Sequence, residues 1–224
     1  MKLGIIGKGF VGSAVANGFD RDVEQFVVDP QFSDNTLEQL VEFGPPLLFI
    51  CVPTPIADDG SCDTTIAKEV LTELDRLQYK GVCVIKSTII PDYLHEFKKE
   101  FDLKIVYNPE FLTAKTAEYD FHHQTHIVLG CPSRLPMGKM EQVKRLYEQY
   151  YPQATVSVCS STESEMMKIS CNSFYSVKVQ FFTELYLLCE KIDCNYEKVK
   201  DLMLANKWIN PMHTNIPGPD GSIS

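Results

Sequence analysis

Gly7, Gly9 and Gly12 directly follow a short apolar run, Lys2 to Ile6, and Asp29 closes the next apolar run, Gln25 to Val28. Each glycine in such a turn has a separate task. The first permits the tight bend, the second lets backbone approach a pyrophosphate, and the third lets the following helix pack closely on the strand. A helix over about Val11 to Phe19 would aim its N-terminal amides and the positive end of its dipole at phosphate oxygens. Phe10 and Val11 open that helix and belong to the same candidate cofactor surface as Gly7, Gly9 and Gly12. A carboxylate at Asp29 accepts both hydroxyls of an adenosine ribose and repels a 2'-phosphate, so the expected dinucleotide is NAD rather than NADP.

Four further segments fall at or beyond the ends of apolar runs. In Val52-Pro53-Thr54-Pro55 two prolines fix a rigid turn, either a wall for the cofactor or simply a stiff loop. Ser87-Thr88 offers hydroxyls to a ligand or water, or equally a cap to the helix opened by Pro91. Glu110, in Asn108-Pro109-Glu110-Phe111-Leu112, is a carboxylate between apolar neighbours, suited to a general base of raised pKa. Lys168 and Asn172 stand four residues apart, so on a helix they share a face and can offer an ammonium and an amide to one developing oxyanion. His213, among the tail prolines, marks a candidate binding loop.

Elements that place these groups are readable from apolar periodicity. Runs at Leu3 to Ile6, Phe26 to Val28, Leu47 to Val52, Val82 to Ile85, Lys104 to Val106, His126 to Leu129 and Ala154 to Val158 read as strands. Amphipathic segments at Thr64 to Leu77, Asp92 to Glu100 and Lys139 to Tyr150 separate several of them. Alternation of this kind predicts an α/β fold with a doubly wound, largely parallel Rossmann-type sheet, because parallel strands need crossover connections. From about Thr162 to Ile192 the pattern becomes one long helix, with Ser160-Ser161-Thr162 as N-cap candidates and Glu163 and Glu165 matching its dipole. A second helix is expected over Tyr196 to Asn206. Residues 1–160 are therefore read as the nucleotide domain and residues 161–224 as the start of a helical second domain.

Composition limits the partners. A formal charge of −9 in 224 residues argues against nucleic acid or an anionic membrane surface, either of which needs a basic field. No apolar run approaches the roughly 18 residues that span a bilayer, and no signal-peptide pattern opens the chain, so a cytoplasmic location is expected. Eight cysteines are scattered without metal-ligand spacing and read as reduced thiols, several in the core; no metal site is expected.

Taken together, the glycine turn, Val52-Pro53-Thr54-Pro55, Ser87-Thr88, Asn108 to Leu112, Lys168 with Asn172, and His213 to Gly221 resemble the UDP-glucose/GDP-mannose dehydrogenases in order and spacing. The resemblance covers essentially the whole chain. It implies oxidation of the 6-hydroxyl of a nucleotide sugar to a carboxylate with two NAD, through a cysteine-bound thiohemiacetal and thioester. It implies that Thr88 positions water near the nicotinamide, that Glu110 is the acid/base of thioester hydrolysis, and that Lys168 and Asn172 stabilise oxyanions. It also places Glu110, Phe111, Leu112, Lys168, Asn172 and His213 beside a nucleotide-sugar substrate, and a homodimer through the long helix is expected.

Two departures from the pattern stand out. Ala114 occupies a position that is acidic in many members, and the glycine-rich cysteine segment due after Gly221 is replaced by Ser222-Ile223-Ser224. A four-electron oxidation needs a covalent anchor for the aldehyde, so this chain alone is expected not to complete the reaction. The alternative expectation is a noncatalytic NAD-binding or dimerisation module that pairs with a full-length enzyme. A hydroxyacid dehydrogenase of related topology is disfavoured by the Lys168–Asn172 pair, the Asn108 to Leu112 motif and the proline-rich tail.

Overall fold

Strand after strand is apolar on both sides, which is the pattern of a sheet covered by helices on both faces. The computed structural model describes residues 1–132 and 135–218. Chain order is β1 (Lys2–Ile6), α1 (Phe10–Gly18), β2 (Glu24–Val28), α2 (Leu37–Phe43), β3 (Leu47–Ile50), α3 (Thr65–Arg76) and β4 (Val82–Ile85). There follow α4 (Tyr93–Glu100), β5 (Lys104–Tyr107), α5 (Ala117–His122), β6 (His126–Cys131), α6 (Met137–Tyr150), β7 (Thr155–Ser160), α7 (Ser161–Lys191) and α8 (Tyr196–Leu204). The doubly wound α/β sheet expected from alternation is present, with strand order β2-β1-β3-β4-β5-β6-β7. Neighbours are parallel except β5 and β6, which meet antiparallel at Tyr107 and Gly130. Strand order reverses beside β1, so a crevice opens at the carboxyl ends of β1 and β3.

Alternate residues of each central strand supply two cores. Leu3, Leu47, Phe49, Val82 and Val84 pack under α1, α5 and α6, while Leu48, Ile50, Cys83 and Ile85 pack under α2, α3 and α4. Two helices escape the periodicity argument. α2 carries a full capping box, Thr36 with Gln39, and ends at Gly44 with φ 67°, but its seven residues are too few for a clear apolar stripe. α5 has six residues and shows none either.

The chain divides into two compact units, Met1–Lys168 and Ile169–Ser224. The first two turns of α7 thus belong with the sheet. Of the expected N-cap candidates Ser160 takes the role, and with Glu163 it forms a capping box, each bonding the other's backbone N–H, at 3.2 and 2.8 Å. Within the second unit, Phe182, Cys189, Tyr196 and Ile216 form a small core. Asn195 caps α8 by accepting from the Lys198 N–H at 2.9 Å. The tail residues Pro219, Asp220 and Gly221, part of the expected binding loop, lie outside the described residues.

Phe19, directly after α1, sets the packing of the first core. Its ring stands between 5.2 and 5.8 Å from those of Phe49, Phe121, Tyr147, Tyr150 and Tyr151. Truncation leaves a cavity bounded by five rigid rings that cannot collapse. Phe19→Ala is expected to destabilise the first unit by about 3–5 kcal/mol, read as a lower urea midpoint for the sheet core; a midpoint matching wild type refutes this.

Candidate active site

The turn after β1 is as tight as its glycines require. Gly7 adopts φ +86°, its N–H donates to Val28 O at 2.9 Å, and a Cβ there would lie 2.7 Å from the carbonyl oxygen of Cys51. At Gly12 a Cβ would fall 1.9 Å from Gly7 O, so α1 reaches the end of β1 only because that atom is absent. Gly9 differs: a Cβ there would meet no protein atom within 4 Å. The space beside it is open to a ligand. Gly9 is the N-cap of α1, makes no side-chain cap bond, and no acid occupies the first turn, so the positive helix end is left unmatched by the protein.

One cleft of about 690 Å³ runs along this edge of the sheet. Gly7, Gly9, Phe10, Val11, Asp29, Val52, Pro53, Thr54, Thr88 and Glu110 line it, and Phe32, Leu37, Ile66 and Val70 add apolar surface to the same cleft. Asp29 is 9% exposed, and its carboxylate accepts from the N–H groups of Lys8 (2.5 Å) and Gln31 (2.8 Å), which fixes its direction. An apolar slot, a fixed carboxylate and an uncapped helix end suit the base, the ribose and the phosphates of a dinucleotide.

Ser87 does not cap a helix. Its hydroxyl donates to Val52 O at 2.7 Å, tying the β4 loop to the Pro53-Thr54 turn, and α4 starts only after Asp92. Thr88 stays half-buried, with its carbonyl accepting from the Cys62 thiol at 3.8 Å. The cap of α4 comes from elsewhere: Glu165, fully buried, accepts from the Asp92 N–H at 2.6 Å and the Leu94 N–H at 3.2 Å. Burial raises its pKa more than these bonds lower it. Glu165 therefore does not act as a solvated acid matched to its own helix dipole; it bolts the start of α7 to the loop behind Thr88.

Lys168 follows one turn later. Its ammonium donates to Glu110 O at 2.5 Å and to Glu110 Oε1 at 3.2 Å, with the side chains 6% and 12% exposed. Glu110 Oε2 accepts from the Leu112 N–H at 2.6 Å, and Leu112 packs on the first core. Phe111 is exposed, its ring 5.1 Å from the Lys168 ammonium. A lysine and a carboxylate that the sequence placed in separate motifs are thus one buried ion pair at the cleft. Asn172 and His213 belong to the second unit, where Asn172 is exposed and His213 stands 5.0 Å from the Tyr175 ring.

Two cleft residues carry no motif signal beyond their place at a strand end. Lys86, 3% exposed, donates to Asn108 Oδ1 at 2.9 Å and Asn108 O at 3.4 Å, and burial pulls its pKa down to about 8. Asn108 is held in turn by the Tyr147 hydroxyl, which donates to its Oδ1, and by its own Nδ2 donating to Val128 O at 2.9 Å. Cys51 lines the same cleft, with its thiol pushed up to about 12 by burial, the nearby Lys86 offsetting only part of this. Burial of these side chains, which no local pattern encodes, is what the sequence left out.

Residues 31–151 match the family model "UDP-glucose/GDP-mannose dehydrogenase family, NAD binding domain", and residues 162–222 match its central domain. The chain belongs to the UDP-glucose/GDP-mannose dehydrogenase family. The glycine turn and Asp29 precede the matched span and rest on their own geometry. UDP-glucose 6-dehydrogenase of Rickettsia felis is 31% identical over 183 residues, covering 78% of this chain and 40% of that enzyme. The chain thus spans less than half the length of this relative. A UDP-glucose dehydrogenase from Pyrobaculum islandicum shares the fold with a TM-score of 0.81 at 22% identity, over 95% of this chain and 58% of that one. A 3-hydroxyisobutyrate dehydrogenase from Mycobacterium tuberculosis also shares it, with a TM-score of 0.72 at 14% identity, over 99% and 77% of the two chains. Fold alone therefore does not separate sugar-nucleotide from hydroxyacid enzymes. The cofactor is NAD. Among the described residues no group of His, Cys, Asp and Glu is arranged to hold a metal ion.

The state of Cys51 has a direct chemical consequence. A thiol with a pKa of about 12 holds almost no thiolate near neutrality and cannot serve as a nucleophile. Native protein treated with iodoacetamide at pH 8 is expected to leave Cys51 unmodified, with labelling only after urea unfolding; peptide mapping that finds it alkylated in the native state contradicts the assignment.

Proposed function

We propose that this chain provides the NAD site and the Glu110–Lys168 charge pair of a nucleotide-sugar 6-dehydrogenase acting on a UDP-glucose-like substrate. The observation that carries this reading is the buried Lys168–Glu110 contact at the end of the cleft that begins with the Gly7 to Gly12 turn. Bound NAD supplies the hydride acceptor. Gly9 and the α1 amides bind its pyrophosphate, Asp29 binds the adenosine ribose, and the slot of Phe32, Leu37, Ile66 and Val70 takes the adenine. Val52, Pro53 and Thr54 wall the cofactor, and Thr88 at the far end orients water or the nicotinamide. Lys168 holds positive charge where an alkoxide or thioester oxyanion develops, with Asn172 on the same helix face as its partner. Glu110, gripped by Lys168 and the Leu112 N–H, holds or moves a proton at Oε1, while Phe111 and Leu112 contribute substrate contacts.

A positioned ammonium and a positioned carboxylate each contribute to turnover on the order of a hundredfold or more. In an active enzyme carrying these residues, Lys168→Ala and Glu110→Gln are each expected to lower turnover of UDP-glucose at least about a hundredfold. Near-normal NADH formation by both variants refutes the roles. For the chain by itself, calorimetry with NAD followed by an NADH assay with UDP-glucose separates this reading from a noncatalytic NAD-binding module. Binding without turnover favours the module, and Cys51, whose thiol stays protonated near neutrality, is the observation on that side.

The chain is also proposed to pair with a second copy along α7. Phe174, Val177, Phe181, Leu188 and Ile192 recur at helical spacing and are exposed by 51% to 69%. They form one apolar stripe about 27 Å long at 1.5 Å per residue, the length of stripe that a self-complementary partner covers. Val177→Glu with Phe181→Glu is expected to shift the sedimentation coefficient from dimer to monomer while NAD binding persists. Unchanged sedimentation of that double variant would remove α7 as the interface.

A further inference from the structure

Lys86 is a buried cation facing a ligand cleft with no anionic partner. Among the described residues its Nζ hydrogen-bonds only to the two oxygens of Asn108, which are neutral, and no carboxylate lies within salt-bridge distance of it. The charged groups that face it are Glu110, from the loop after β5, and Lys168, from α7, which pair with each other. Cys51 faces it from the end of β3, Tyr147 from α6 and Phe121 from α5, and all three are uncharged near neutrality. Two ammoniums against one carboxylate leave this end of the cleft with a surplus positive charge, and Lys86 is that surplus.

Charge of this kind acts on a cofactor whose two forms differ by one unit. The ring of NAD is cationic, and the hydride it accepts makes it neutral. We propose that Lys86 sets the charge of the cleft's inner end: its ammonium disfavours the oxidised ring relative to the reduced one and so makes bound NAD a stronger hydride acceptor. The inference rests on the reading above that the nicotinamide lies at the Thr88–Glu110 end, opposite Asp29. Low dielectric magnifies the effect, since a charge held in a buried site is screened far less than one in water. The depressed pKa of Lys86, about 8, agrees with a cation held without a counter-ion, and it provides a handle on the charge.

Calorimetric titration with NAD, NADH and ADP-ribose at pH 7 and pH 9.5 tests the proposal. Wild type is expected to favour NADH over NAD at pH 7, with that preference shrinking by roughly tenfold at pH 9.5, where Lys86 has lost its proton. Cys51 and Tyr147 stay protonated across this range. Lys86→Met is expected to show the smaller preference at both pH values, with ADP-ribose, which lacks the nicotinamide, bound as by wild type. Equal weakening of all three ligands indicates a merely structural lysine and overturns the proposal, as does a variant that keeps the wild-type preference and its pH dependence. Should Lys86→Met fail to fold, a wild-type preference that is constant from pH 7 to pH 9.5 overturns it alone. Failure of wild type to bind any of the three ligands overturns the cofactor placement and this inference together.

Discussion

The absent Cβ of Gly12 is the constraint from which the cofactor edge of this protein follows. With any side chain there, α1 would have to lift off the carbonyl of Gly7, where a Cβ falls 1.9 Å away. Lifting the helix would move its N-terminal amides away from the crevice and take Phe19 out of the aromatic cluster beyond its C-terminal end. One missing carbon thus couples the anion-binding end of α1 to the main core at its other end. Gly7 adds the second half of the constraint, because its positive φ turns the chain under Cys51 and lets β1 and β3 end level with one another.

Beyond that turn, the loops at the cleft are tied together by buried polar and charged side chains. Lys86 and Asn108 tie the end of β4 to the end of β5, Tyr147 and Val128 hold Asn108 from α6 and β6, and Ser87 ties the β4 loop back to Val52. Glu165 and Lys168, one turn apart, secure the start of α7 to the α4 end and to the Glu110 loop. Several of these ties join loops that carry candidate functional groups, and positioned charges act only if their backbone does not move.

The sequence made the sheet legible because both of its faces are buried, so the central strands read as short, nearly continuous apolar runs. The Gly7 to Gly12 turn was legible for a related reason, since its glycines answer to backbone geometry rather than to distant side chains. α2 and α5 were not, being too short for a 3.6-residue period to register, although Thr36, Gln39 and Gly44 carried the capping signals of α2. Glu163 and Glu165 show the limit most sharply. Two residues apart in the same first turn, they read alike, yet Glu163 caps its own helix in solvent and Glu165 is wholly buried capping another. Which of two like residues faces inward depends on the element packed against the helix, and that element, α4, lies some 70 residues earlier. Lys86 was hidden in the same way, as the polar end of Val82 to Ile85.

Lys86 and Glu165 share a thermodynamic sign that separates them from the rest of the fold. Burial lowers the pKa of Lys86 to about 8 from 10.5, so the unfolded chain binds its proton more tightly than the folded one; its charge weighs against folding below pH 8, and the penalty lifts as pH rises from 8 towards 10.5. Burial raises the pKa of Glu165, so its ionisation weighs against folding above the ordinary carboxylate range. Near neutrality each therefore subtracts from stability in its charged state. An apolar residue of similar size at either site would spare the fold this penalty, as replacement of buried ions often does. Both lie at the carboxyl edge, one lining the cleft and the other bracing its loops, while the two cores beneath are almost wholly apolar. Buried charges that burden the fold and gather at one edge mark that edge as built for something other than stability.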